Sequence, residues 1–124
     1  MELIKDERFE HIYMVDTFPR EYKKLFGKSS AIYKEELERL AQNLYILDTE
    51  MEDALQLQQF EQLTAKAPLC SIRHVSKTNP RVIFIFEKTE SAVILLACAL
   101  EKSKKDYEEV TARAKARLRA LEEN

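Results

Sequence analysis

The uninterrupted apolar run from Ala92 to Leu100 constrains this chain more than any other segment. With Glu90 and Glu101 at its ends it is far too short to cross a bilayer, so in water both of its faces must be covered. It therefore reads as a buried strand. The segment before it, Arg81 to Glu87, sets Val82, Phe84 and Phe86 against Ile83 and Ile85. Both sides are apolar, which predicts a central strand. Lys88 to Ser91 turns the chain between the two. Upstream, Leu69 to Val75 alternates Ile72 and His74 against Ser71 and Arg73, and Thr78-Asn79-Pro80 supplies the next turn. Three strands joined by short turns form an antiparallel meander.

The remaining segments must cover that sheet. His11 to Thr17 reads as a first strand, broken by Phe18-Pro19. Residues 20–29 form a turn or short helix that stops at Gly27. Ser30 to Leu47 repeats Tyr33, Leu37, Leu40, Leu44 and Leu47 at three- and four-residue steps, one apolar helix face. Asp48 and Thr49 then suit the cap of a second helix, from about Glu50 to Lys66, with Met51, Ala54, Leu55, Leu57, Phe60 and Leu63 as its apolar set. Pro68 ends it. A last helix begins at Lys105 or Asp106 and runs to about Leu121 on Tyr107, Val110, Ala114, Leu118 and Leu121. The expected order is β-α-α-β-β-β-α. This is an α+β fold, a small, mainly antiparallel sheet packed by a helix pair and a C-terminal helix, in one domain over residues 1–124.

Composition narrows the chemistry. A chain that is 45% hydrophobic and 34% charged is globular and soluble rather than disordered. No basic-then-apolar leader opens it, and Cys70 and Cys98 lie inside apolar runs without metal-ligand spacing. Buried thiols and a cytoplasmic setting are expected. The single glycine, Gly27, excludes a Gly-rich phosphate loop. Net charge is −2 but uneven. Residues 1–70 carry 9 Lys/Arg against 14 Asp/Glu, and residues 71–124 carry 11 against 8. A local basic patch is expected in the second part, not a whole-chain attraction to nucleic acid.

The patch lies between Ser71 and Tyr107. Arg73 projects opposite His74 and can grip a phosphate or simply stand exposed on its strand. Arg81 opens the next strand, as a solvated end residue or as the second half of a two-cation clamp. Lys102, Lys104 and Lys105 precede a helix, where cations oppose the dipole, and this favours a role in binding over a solvated loop. Tyr107 suits proton transfer or base stacking, with core packing as the stronger reading. His74 reads as a partly buried structural histidine, and nothing marks His11 as catalytic. Arg113, Arg117 and Arg119 extend the patch or keep the last helix soluble.

These residues carry a resemblance. A strand with Arg73, a turn, an aromatic-rich strand opened by Arg81, the Val93-Ile94-Leu95-Leu96 strand and the exit Lys102-Ser103-Lys104 resemble the RelE/ParE toxin superfamily, above all its phage-derived HigB-like branch. The resemblance covers roughly the C-terminal half. It implies a RelE-like fold and a ribosome-dependent mRNA endoribonuclease that uses the RNA 2′-hydroxyl as nucleophile. No metal or other cofactor is needed. The partners implied are an antitoxin encoded alongside, of helix-turn-helix type, with the ribosome and mRNA, and no membrane. It puts Arg73, Arg81, Lys102 and Lys104 in the catalytic site, to which the reading of the patch adds Tyr107 as catalytic and Lys105, Arg113 and Arg117 as substrate-binding residues. The chain departs from the family at Glu101 and Asp106, two acids that would repel phosphate there. They favour the alternative of a binding protein on the same fold. Such a protein would inhibit a gyrase-type target, or be an inactive toxin relic that still pairs with an antitoxin.

Overall fold

The computed structural model describes residues 1–63 and 68–123. In these the elements are β1 (Leu3–Lys5), β2 (Ile12–Val15), α1 (Phe18–Lys24), α2 (Ser30–Glu50), a 3₁₀ segment (Met51–Gln56), β3 (Phe60–Gln62), β4 (Cys70–Arg73), β5 (Pro80–Glu87), β6 (Ala92–Leu100) and α3 (Lys104–Glu122). One sheet of order β1-β2-β6-β5-β4-β3 carries all six strands. Strands β3 to β6 run as an antiparallel meander, and β2 joins β6 in parallel with Ile12 opposite Val93. The apolar strands β5 and β6 occupy the centre, as their two-faced sequences require. Phe84 and Leu95, cross-strand partners, are both fully buried.

Pro80 begins β5, a strand position that tolerates a missing N–H. The connection before it turns at Asn79, whose φ is +47°, and the Asn79 side chain accepts a hydrogen bond from the Ser76 N–H at 3.0 Å. Helices α1 and α3 pack on β6. Leu40 and Leu44 of α2 share an apolar cavity with Met14, Phe18 and Leu95.

The expected helix pair is corrected. Asp48 caps no second helix; its carboxylate accepts the N–H groups of His11 at 2.7 Å and Glu10 at 3.3 Å, at the entry to β2. Thr49 bonds back to the Tyr45 carbonyl at 2.9 Å. Helix α2 therefore runs through both to Glu50 and ends where Met51 takes a positive φ of 49°. Beyond the 3₁₀ turn the chain extends, and Phe60 pairs with Ile72 as edge strand β3, burying its ring. Tertiary pairing overrides the helical propensity of the glutamine-rich run. The end of the expected helix, at Lys66, lies outside the described residues.

Candidate functional site

The site is built where β4, β5, β6 and the start of α3 meet. Arg73 and Arg81 are direct cross-strand partners, so their side chains leave the same face of the sheet. They meet different environments.

Arg81 is 3% exposed. Its Nε donates to Glu101 Oε2 at 2.8 Å, and Nη2 lies 2.7 Å from the same oxygen. Its Nη1 donates to Ser71 Oγ at 3.1 Å and lies 3.5 Å from Glu61 Oε1. The Tyr107 ring covers the guanidinium, with 4.9 Å from its carbon to the ring centroid, a cation–π contact. The small Ala99 opposite Arg81 on β6 leaves room for this cluster.

Arg73 is exposed, and its backbone N–H is tied to the Gln59 carbonyl at 2.8 Å. With Asn79, Glu101, Lys102 and Ser103 it lines a shallow recess of about 200 Å³. The start of α3 forms the wall. Ser103 Oγ accepts the Asp106 N–H at 3.3 Å, and Asp106 Oδ2 accepts the Lys102 N–H at 3.0 Å. Asp106 thus belongs to a helix cap, where a negative charge suits the dipole. Lys102 projects into solvent beside Arg73. Lys104 and Lys105 are exposed on the first turn, each 3.9 Å from an acid one turn on, Glu108 and Glu109. Pairs so open and so long hold little energy, which leaves both lysines free to meet an anion.

Arg113 and Arg117 do not line the recess beside Arg73; Arg113 borders a neighbouring one with Lys102 and Asp106. Arg113 Nη1 donates to the Cys98 carbonyl at 3.3 Å. Arg117 Nη1 donates to the Leu96 carbonyl at 2.8 Å and to Glu21 Oε1 at 2.7 Å. The Arg117 guanidinium holds the Glu21 carboxyl below its usual range. These two arginines fasten α3 to β6 and α1. Burial pushes the Cys98 thiol up to about 12 and the Cys70 thiol up to about 11, so neither is a ready nucleophile.

A second polar cluster, unmarked by sequence reasoning, lies behind β4. Glu36 is 2% exposed and pairs with Arg39 at 2.6 Å. Asn43 Nδ2 donates to His74 Nε2 at 2.6 Å, and Gln59 Nε2 donates to Asn43 Oδ1 at 3.2 Å. With Nε2 accepting, the ring proton sits on Nδ1, which has no hydrogen-bond partner among the described residues and lies 3.9 Å from Glu36 Oε2. The signal was available in α2, because Glu36, Leu40, Asn43 and Leu47 form one helical stripe and all four are buried.

Burial lowers the pKa of His74 below its ordinary 6.5, Arg39 adds to this, and Glu36 opposes it. The folded state therefore prefers neutral imidazole. The His74 contribution is complete above about pH 6.5 and is lost as pH falls from there through the folded value. The melting temperature should fall from about pH 7 to about pH 5, and His74→Gln should flatten that slope. An unchanged slope in His74→Gln would assign it to other groups.

The chain is α+β and its fold is RelE-like. Among solved structures it is similar to the E. coli toxin RelE, in a double arginine-to-alanine mutant in the free state. The likeness has a TM-score of 0.53 at 14% identity, over 83% of this chain and 95% of that one. No protein-family model matches the chain, and no curated protein matches it in sequence.

Proposed function

We propose that this chain is the toxin component of a type II toxin–antitoxin system and a ribosome-dependent mRNA endoribonuclease of the HigB-like branch. The observation that carries this reading is the recess on a RelE-like fold where Arg73 and Lys102 stand together, open to solvent. Two cations on one shallow concavity suit an RNA phosphate. In the reaction the 2′-hydroxyl loses its proton to water as its oxygen bonds the adjacent phosphorus, and the phosphorus–5′-oxygen bond breaks, the 5′-oxygen taking a proton from water to leave as a hydroxyl. Charge builds on the phosphoryl oxygens, where Arg73 and Lys102 stabilise it. Lys104 and Lys105 steer the strand, and Arg81, under the Tyr107 ring, lies buried behind Glu101 at the edge of the recess. The reading needs no metal and no other cofactor. It places the protein in the cytoplasm as one domain, with a helix-turn-helix antitoxin as its partner.

The test is expression without the neighbouring gene, read as growth arrest and as mRNA cleavage in a translating extract. Both are expected, and Arg73→Ala with Lys102→Ala should cut the cleavage rate by at least about 100-fold. Arrest and cleavage that survive this double substitution would remove the recess from the mechanism.

A second reading is favoured by one observation, the full set of partners around Arg81. On that reading the chain binds an antitoxin or a protein target without cutting RNA. Absence of cleavage, together with co-purification of a small protein encoded next to it, would select this alternative.

A further inference from the structure

We infer that Glu101 is a built-in competitor for the anion site, a carboxylate that occupies Arg81 in place of a phosphate and must swing away before Arg81 can take part in binding. That the competing anion is an RNA phosphate rests on the reading above; that Glu101 closes Arg81 does not.

Arg81 Nε and Nη2 form the edge of a guanidinium that grips oxyanions, and both converge on one Glu101 oxygen at 2.8 and 2.7 Å. Ser71 and Glu61 take the Nη1 side, and Tyr107 covers a face. The Arg81 side chain is 4% exposed while that of Glu101 is 25% exposed, so Glu101 is the member of the pair that meets solvent. Glu101 also lines the recess beside Arg73 and Lys102, where an incoming anion would arrive. It follows the last residue of β6, and its backbone N–H is held by the Asn79 carbonyl at 3.0 Å. Its side chain can therefore rotate without breaking a ladder bond.

The consequence is selectivity. With Glu101 in place, Arg73 and Lys102 offer two positive charges against the Glu101 carboxylate, which Arg81 neutralises, and the Asp106 carboxylate, which the helix cap holds. With it displaced, Arg81 adds a third cation. A lone phosphate competes poorly with an attached carboxylate, whose effective concentration is that of a tethered ligand. A polyanion first held by Arg73 and Lys102 competes well. The ligand class is therefore a phosphodiester strand presented at high local concentration, not a free mononucleotide.

The experiment compares the full chain with Glu101→Gln and with Glu101→Gln combined with Arg81→Met. The first arm titrates inorganic phosphate and follows the arginine Nε–H resonances by NMR. Wild type should show no saturable shift at Arg81, Glu101→Gln should show one, and the double variant should lose it. The second arm measures binding of a labelled single-stranded RNA against salt. Glu101→Gln should bind at least about 10-fold tighter, with a log–log slope steeper by about 0.7, one added phosphate contact. If Glu101→Gln does not fold, Glu101→Asp, which withdraws the carboxylate by one methylene, should give an intermediate phosphate response. Equal phosphate binding by wild type and Glu101→Gln or Glu101→Asp overturns the inference whatever RNA does. A phosphate response without any RNA response keeps Glu101 as the competitor and removes RNA as the ligand.

Discussion

Phe84→Ala is expected to cost about 3–5 kcal/mol of folding stability, a large share of what a small domain has. The ring is fully buried on β5 between Cys70 of β4 and Leu95 of β6. It also meets Phe86 edge-to-face at 5.3 Å, a contact that adds to the burial term. The site sits at the register shift between Ile83 and Phe84, where the backbone cannot close over a void without giving up the pairing that follows. Urea denaturation should show a lower midpoint with an unchanged m-value. A loss below about 1 kcal/mol would mean that the surrounding strands collapse freely into the space.

Arg117→Ala is expected to cost about 2–4 kcal/mol, somewhat less than removal of one partner from a wholly buried pair, because the Glu21 side chain keeps 25% of its surface in water. The substitution strands two groups at once, the Glu21 carboxylate and the Leu96 carbonyl. Arg117→Lys should restore little, since an ammonium lacks the planar fork that serves both. The pH dependence gives a second readout. Glu21 has a folded pKa held below its ordinary 4.5, so its contribution is present above that value and is lost as pH falls through the folded one. In Arg117→Ala this acid-side loss should shrink. Equal stability of Arg117→Ala and wild type at neutral pH would return Arg117 to the solvated surface that its position on a charged helix suggests.

These two residues show what could be read from the chain alone. Phe84 announces itself, because a strand apolar on both faces has one place in a sheet. For the same reason β6 runs from Ala92 to Leu100 as its sequence marks it. Arg117 does not, because a helical arginine next to an apolar stripe looks alike whether it meets water or a carbonyl. The partner that decides the matter, Glu21, lies in a distant part of the chain. Asp48 is the clearest misreading. Its residue type fits a helix cap, yet the N–H groups it satisfies are those of Glu10 and His11. Strand β3 was hidden because three residues carry too little alternation to outweigh the helical propensity around them, and β1 was hidden likewise. At the candidate site the residue types around Arg73 and Lys102 were visible. The union of Arg81 with Glu101, Glu61 and Tyr107 was not, because it depends on the register of four strands, β3 to β6.

The short strands at the two margins of the sheet have a consequence for how this protein behaves among its own copies. β1 and β3 have three residues each; β3 places Glu61 and Gln62 at the surface, and β1 exposes Lys5 beside Leu3 and Ile4. A long, flat, apolar margin is a template on which other chains add and polymerise. Margins this brief present few free backbone groups, and Lys5, Glu61 and Gln62 interrupt them with charged and polar side chains. Their brevity disfavours extension of the very apolar centre of the sheet from copy to copy.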